Sequence, residues 1–124
     1  MSNNMNILTY PEFVATLVKP GASIVESLTA EDAHLLHMAV GVSGEAGELL
    51  DAIKKVAIYR KLVDRTNVIE ELGDLEFYME GLRQGLGITR QEVLDHNITK
   101  LSKRYNSGKY SNKHAQERVD KKEQ

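Results

Sequence analysis

The sequence predicts an all-α protein, a bundle of four main helices that forms one domain over residues 1–124. Strand signals are almost missing, because no run of β-branched or aromatic residues alternates with polar ones and no Asn-Gly or Asp-Gly pair marks a hairpin. Apolar residues instead recur at helical spacing through the middle of the chain. Threonines followed three residues later by an acid, an arrangement that caps helices, stand between the apolar stretches.

The first two helices are bounded by turn and capping residues. A short first helix starts near Pro11, because proline suits the first turn of a helix, and ends before the Pro-Gly pair at 20–21. Thr29 with Asp32 resembles a capping arrangement and opens a long second helix, which runs to about Tyr59.

The third helix opens at Asp64 or Thr66 and ends at the Gly-Leu-Gly of residues 85–87. The second and third helices each carry an apolar stripe at a spacing of about 100° per residue. The stripe of the second helix comprises Leu35, Ala39, Val42, Ala46, Leu49, Ile53 and Val56. That of the third comprises Val68, Leu72, Leu75, Met79, Leu82 and Leu86. Two such stripes predict an antiparallel helical pair.

The fourth helix begins with a Thr-x-x-Glu capping box formed by Thr89 and Glu92, and it ends near residues 106–108. The tail that follows, about residues 107–124, is rich in Lys, Asn and Gln. This composition predicts an extended arm lying on a neighbouring chain, or partial disorder.

Charge and composition narrow the function. The formal net charge is −2, from 16 basic and 18 acidic side chains, which argues against a dedicated nucleic-acid binder. Apolar runs are only a few residues long, which argues against a membrane protein. The amino terminus lacks the pattern of a secretory signal, so we expect a cytoplasmic protein.

Two pairs of acids lie beside the apolar stripes, Glu45 with Glu48 and Glu71 with Asp74. Both members of each pair point to one side of a helix, so two packed helices would direct four acids at a shared pocket. Like charges three residues apart cost roughly 0.2–0.5 kcal/mol on an exposed helix and more when partly buried. A hard divalent cation removes that cost, and all-oxygen ligands favour Mg²⁺ or Mn²⁺ over zinc. The alternative is a solvated acidic face.

Glycines accompany these acids at Gly41, Gly44, Gly47 and Gly73. Each glycine inside a helix costs about 1 kcal/mol relative to alanine, which suggests close approach by a neighbouring backbone or a ligand. Further acids on the third helix, Glu70, Glu76 and Glu80, leave open which carboxylates bind metal.

Three segments together resemble the MazG-like nucleotide pyrophosphohydrolases, in particular the short stand-alone type of phages and bacteria. They are G-V-S-G-E-A-G-E-L-L-D-A-I-K-K at 41–55, E-E-L-G-D-L-E-F-Y-M at 70–79 and N-I-T-K-L-S-K-R-Y at 97–105. The resemblance covers roughly residues 34–118. It implies Mg²⁺-dependent cleavage of a (deoxy)nucleoside triphosphate to the monophosphate and pyrophosphate by a metal-activated water. It also implies a helical bundle completed as a homodimer or homotetramer.

The same resemblance implies roles for individual residues. The metal ligands would be Glu45, Glu48, Glu71 and Asp74, and a carboxylate not fully engaged with metal can act as general base, for which Glu48 is the candidate. Contacts to phosphate or sugar would come from Asn97, Lys100 and Arg104, which share one face of the fourth helix.

Three more residues are candidates from their helical positions. Lys55 lies towards the acidic face and can meet the triphosphate, although an exposed helix lysine is the alternative. Tyr78, one turn after Asp74, can stack on a base or bond a ribose, or simply pack. His37 points to the Glu45 side and is either a substrate contact or a structural histidine.

Two other functions fit the same pattern. One is a related all-α pyrophosphatase that acts on dUTP or phosphoribosyl-ATP. The other is a non-enzymatic helical interaction module whose acids are only solvated. The wide apolar stripes of the long helices leave surface for a partner chain, so a dimer is the smallest assembly that we expect.

Overall fold

The computed structural model describes residues 7–106 and 112–117, and over these ranges every secondary-structure element is a helix. The helices are α1 (Tyr10–Leu17), α2 (Gly21–Ser27), α3 (Ala30–Ala57), α4 (Arg65–Leu86), α5 (Arg90–Arg104) and α6 (Asn112–Glu117). The all-α class is therefore confirmed. Within the described ranges, no helix combines the length and the apolar character needed to cross a membrane.

The capping residues identified in the sequence start the helices as predicted. Thr89 and Glu92 form the predicted capping box at α5, and Thr9 and Glu12 form one at α1 that was not predicted. Asp64 caps α4, where its carboxylate accepts a hydrogen bond from the backbone N–H of residue 67 at 3.1 Å. Each bond satisfies a backbone donor that the first turn of a helix leaves unpaired.

Two short helices, α2 and α6, were not predicted. Helix α2 follows Pro20 and has no side-chain cap. It starts at the Pro-Gly pair of residues 20–21, which was predicted only to end the preceding helix. Helix α6 lies inside the tail for which an extended or disordered arm is predicted. The remainder of that tail, residues 107–111 and 118–124, lies outside the described residues.

The chain divides into two compact units, one reaching Ala33 and one starting at His34. The first unit holds α1, α2 and the first turn of α3, and its described side chains are exposed except for the half-buried Val14. The second unit holds the rest of α3 and helices α4 to α6.

In the second unit, α3 and α4 form an antiparallel hairpin with close contacts. Gly81 lies against the side chain of Met38, and Gly41 lies under the ring of Tyr78. His34 places its Nε2 atom 2.9 Å from the carbonyl oxygen of Gly81. Successive residues of α3 thus lie opposite residues of α4 taken in reverse order and at equal spacing. The same register, continued towards the turn, sets Glu45 and Glu48 opposite the acids of α4.

The buried line of α3 differs in part from the predicted stripe. The buried residues are Met38 and Ala52, and four predicted positions are half-buried, namely Leu35, Val42, Leu49 and Val56. Three predicted positions are exposed, namely Ala39, Ala46 and Ile53. Two packed helices contact each other along a line of residues spaced three or four apart. This line is narrower than the apolar face of α3, so apolar residues at the edges of that face remain exposed. On α4, Leu72 and Leu86 are likewise exposed.

Candidate metal centre and active site

The hairpin register brings three of the four predicted metal ligands together. Glu45, Glu71 and Asp74 each offer a carboxylate oxygen, and the three oxygens lie within 4.8 Å of one another. Glu45 and Glu71 are half-buried, whereas Asp74 is exposed. Residues that are 26 or more positions apart in sequence therefore converge because α3 and α4 are antiparallel.

Glu71 occupies the centre of this cluster. Its Oε2 atom is buried and has no hydrogen-bond partner in the described part of the chain. Burial raises the pKa of the Glu71 carboxyl, and the charges of Glu45, Glu48 and Asp74 raise it further, as does a hydrogen bond shared with Glu45. A buried acceptor without a donor is costly, and a cation would satisfy it.

The donor set fits a hard divalent cation. All three ligands are carboxylates, which suit Mg²⁺, Mn²⁺ or Ca²⁺. Oxygens opposite each other on Mg²⁺ lie roughly 4.2 Å apart, because each bond is about 2.1 Å long. The spacing of the cluster is compatible with one ion after a small contraction. The orphaned Glu71 oxygen is the observation that makes the cluster more than a solvated acidic face.

Glu48 lies outside this group of three. Its side chain is exposed, and its charge contributes to the raised pKa of Glu71, so it lies near the cluster. Glu48 is thus an acid near the candidate metal site that is not one of the three clustered carboxylates.

Two other acids of α4 have a different role. Arg83 lies 2.7 Å from both Glu76 and Glu80, and its own side chain is only 12% exposed. The hydrogen bonds from Arg83 and Gln84 lower the pKa of the Glu80 carboxyl, and those carboxylates in turn raise the pKa of Arg83. Glu76 and Glu80 therefore belong to an arginine fork rather than to the metal cluster, a distinction that the sequence left open.

The predicted contacts Tyr78 and His37 lie together on the hairpin. Their ring centroids are 6.1 Å apart in an edge arrangement, and Phe77 meets Tyr78 edge-on at 5.2 Å. Tyr78 also covers Gly41, where a Cβ atom would overlap the ring. Packing therefore accounts for the position of Tyr78 and for the need for glycine at 41.

The other glycines near the acids have open surroundings. A Cβ atom at Gly44, Gly47 or Gly73 would meet nothing within 4 Å. The expected close approach of a neighbouring backbone is therefore seen for none of these three within the described residues. Space beside the acids remains for a ligand or a second chain.

Lys55 forms an ion pair with Asp51 across one turn of α3, with Nζ and Oδ2 3.5 Å apart. Both side chains are about half exposed, at 53% and 56%. Screening by water makes such a pair weak, so Lys55 remains able to exchange this partner for a phosphate.

A separate cavity of about 440 Å³ is lined mainly by residues of α5. Asn97 and Lys100 both line it, as predicted from their shared face, whereas Arg104 is half-buried and does not line it. None of the three clustered acids lines this cavity. Four other lining residues were not predicted from the sequence, namely Ile88, Glu92, Val93 and His96. The spacing of His96 four residues before Lys100 is the signal that would have identified it.

Comparisons with known proteins agree with this geometry. Residues 34–108 match the family model of the MazG nucleotide pyrophosphohydrolase domain. The "Gene 37 protein" of Mycobacterium phage L5 is 30% identical over 97 residues, which cover 75% of this chain and 82% of the phage protein. No solved structure matches the chain significantly. The range matched by the family model contains both acid pairs and the cavity on α5.

Proposed function

Because this chain belongs to the MazG nucleotide pyrophosphohydrolase family, we propose that it hydrolyses a (deoxy)nucleoside triphosphate to the monophosphate and pyrophosphate with the help of Mg²⁺. The observation that carries the proposal is the buried, unpartnered oxygen of Glu71 within reach of Glu45 and Asp74. Those three carboxylates would hold the cation. When bound, Mg²⁺ neutralises phosphate charge and makes water a better nucleophile.

The proposed reaction is a direct displacement at the α-phosphorus. The oxygen of a water molecule bonds to that phosphorus, the bond from it to the bridging α–β oxygen breaks, and pyrophosphate leaves with the electron pair. Glu48 is the proposed acceptor of the water proton, because it lies beside the cluster and is exposed to solvent.

The substrate would be positioned by side chains, because the sequence has no P-loop. Lys100 and Asn97 would bind phosphate or sugar, and Lys55 would approach the polyphosphate after leaving Asp51. The His37–Tyr78 pair would contact the base or ribose, and Arg104 would assist from the end of α5.

The direct test is incubation with each common NTP and dNTP in the presence of Mg²⁺, with the products separated by ion-exchange chromatography. We expect monophosphate and pyrophosphate from at least one substrate, and loss of both products with EDTA. Glu71→Gln should abolish turnover, whereas Glu70→Gln, an adjacent acid outside the cluster, should retain it. Release of single orthophosphate, or equal activity of both variants, would contradict the proposal.

We also propose that the protein is at least a homodimer. Helix α3 has a second apolar stripe that no described residue covers, with Leu36 56%, Val40 60% and Leu50 68% exposed. Gly47 lies in the same stripe and would let another helix approach closely. Burial of such a face is the usual reason for association. Light scattering should give a mass of at least two chains for the wild type and a smaller mass for Leu50→Glu.

A further inference from the structure

The turn between α3 and α4 is strongly basic. With its flanking residues it carries five cations and only one acid, Asp64. The cations are Lys54, Lys55, Arg60, Lys61 and Arg65. Two backbone hydrogen bonds fix the path of the turn, from the N–H of residue 58 to the carbonyl of Lys54 at 2.8 Å and from the N–H of Lys61 to the carbonyl of Lys55 at 3.2 Å. We call residues 54–65 the basic turn.

Arg60 has an unusual backbone in this turn. Its φ is +59°, and it is the one non-glycine residue in the described ranges with a positive φ. Glycine and asparagine adopt this left-handed conformation easily, whereas a residue with a longer side chain does so at a cost. The Arg60 side chain is exposed, so burial in the core does not explain why an arginine stands there. Such outliers concentrate at functional sites.

Among the described residues, the cations at the tip of the turn have no acidic partner. Lys55 is paired with Asp51, and the ammonium group of Lys54 lies 5.7 Å from the centre of the Tyr59 ring. Asp64, the one acid within the basic turn, caps α4 with its carboxylate. No ion pair in the described part of the chain engages Arg60, Lys61 or Arg65. Their charge is therefore available to an anion.

The turn lies at the same end of the hairpin as the acid cluster. Lys55 follows Glu48 by seven residues of helix, and Glu71 follows Arg65 by six, so the two arms rise roughly 9 to 10.5 Å from the acids to the turn at about 1.5 Å per residue. A triphosphate held at the acids by its α-phosphate and extended towards the turn would cover part of this distance with its β- and γ-phosphates, and the long side chain of Arg60 would cover the rest.

We propose that Arg60, with Lys61 beside it, binds the β- and γ-phosphates, the part of the substrate that leaves as pyrophosphate. The inference rests on the proposed hydrolase function and adds a binding residue to it. The guanidinium of arginine forms two parallel hydrogen bonds to phosphate oxygens, which suits a group whose negative charge grows as the α–β bond breaks.

The test is the direct binding of inorganic pyrophosphate with Mg²⁺, measured by titration calorimetry on the full chain. In Arg60→Gly the left-handed position becomes favourable, so the variant should melt at the same temperature as the wild type or higher. Its affinity for pyrophosphate should nevertheless fall about tenfold, which corresponds to the loss of roughly one charge-assisted contact. The affinity for a nucleoside monophosphate should not change.

Lys19→Gln is the charge-matched control, because Lys19 is an exposed cation far from this turn in sequence. An equal fall in pyrophosphate affinity in Lys19→Gln would show that only bulk charge matters and would overturn the inference. Unchanged affinity in Arg60→Gly, with or without a lower melting temperature, would also overturn it. If the wild type shows no pyrophosphohydrolase activity but Arg60→Gly still loses pyrophosphate binding, the hydrolase proposal fails and the anion site stands.

Discussion

The contact between Gly41 and Tyr78 predicts a specific cost for one methyl group. An alanine Cβ at position 41 would overlap three carbons of the Tyr78 ring, namely Cγ, Cδ1 and Cε1. Forcing extra atoms into a packed contact costs about 1–3 kcal/mol. Alanine in place of glycine inside a helix returns about 1 kcal/mol. We therefore expect Gly41→Ala to lower the free energy of unfolding by about 1 kcal/mol, or the melting temperature by about 4 °C.

Gly44 provides the matched control, because it lies one turn further along the same helix and its Cβ atom would meet nothing within 4 Å. Gly44→Ala should raise the free energy of unfolding by up to about 1 kcal/mol, so the two variants differ in sign. The assay is urea unfolding followed by helical circular dichroism at one protein concentration, since association would otherwise shift the midpoint. If Gly41→Ala proved as stable as Gly44→Ala, the packing of Tyr78 against α3 would be wrong.

Three further predictions concern the acid cluster and the helix ends. Mg²⁺ should raise the melting temperature of the wild type and of Glu70→Gln but not of Glu71→Gln, as measured by differential scanning fluorimetry. Because the pKa of Glu71 is raised above 4.5, the metal-free folded protein holds that proton more tightly than the unfolded chain, so its stability should fall as the pH rises from 4.5 through the raised pKa. Urea titrations across that window should show a smaller fall in Glu71→Gln, and an equal fall would rule out this origin. Thr89→Ala should remove the α5 capping box and cost about 1 kcal/mol of unfolding free energy without weakening the Mg²⁺ effect.

The starts of the helices were predictable because capping chemistry is local. Thr29, Asp64 and Thr89 each accept a hydrogen bond from a backbone N–H three residues later, so the signal lies within four residues of sequence. Helix α2 has no such cap and follows a proline, so its local signals indicate a break. Whether a Pro-Gly pair ends a helix or starts one depends on contacts that a short window of sequence does not contain.

Helical spacing predicted Glu45, Glu71 and Asp74 as members of the candidate site but left open whether other acids of α4 also belong to it. The spacing of Glu71 and Asp74 placed both on one side of α4, and antiparallel packing brought them to Glu45. Spacing did not separate these acids from Glu76 and Glu80, because all of them lie on one acidic helix. Glu76 and Glu80 differ from the clustered acids because both accept hydrogen bonds from Arg83. The difference also depends on which side of α4 faces α3.

The antiparallel register of α3 and α4 restricts how such a protein can change length during evolution. One extra turn in α3 between Glu48 and Ala57 would displace its acids by about 5.4 Å relative to Glu71 and would separate the cluster. Residues can be added safely only to the turn itself, or in equal numbers to both arms. Insertions and deletions that preserve the acid cluster should therefore collect between residues 58 and 64, and only those that also keep Arg60 at the tip of the turn would preserve the proposed phosphate contact.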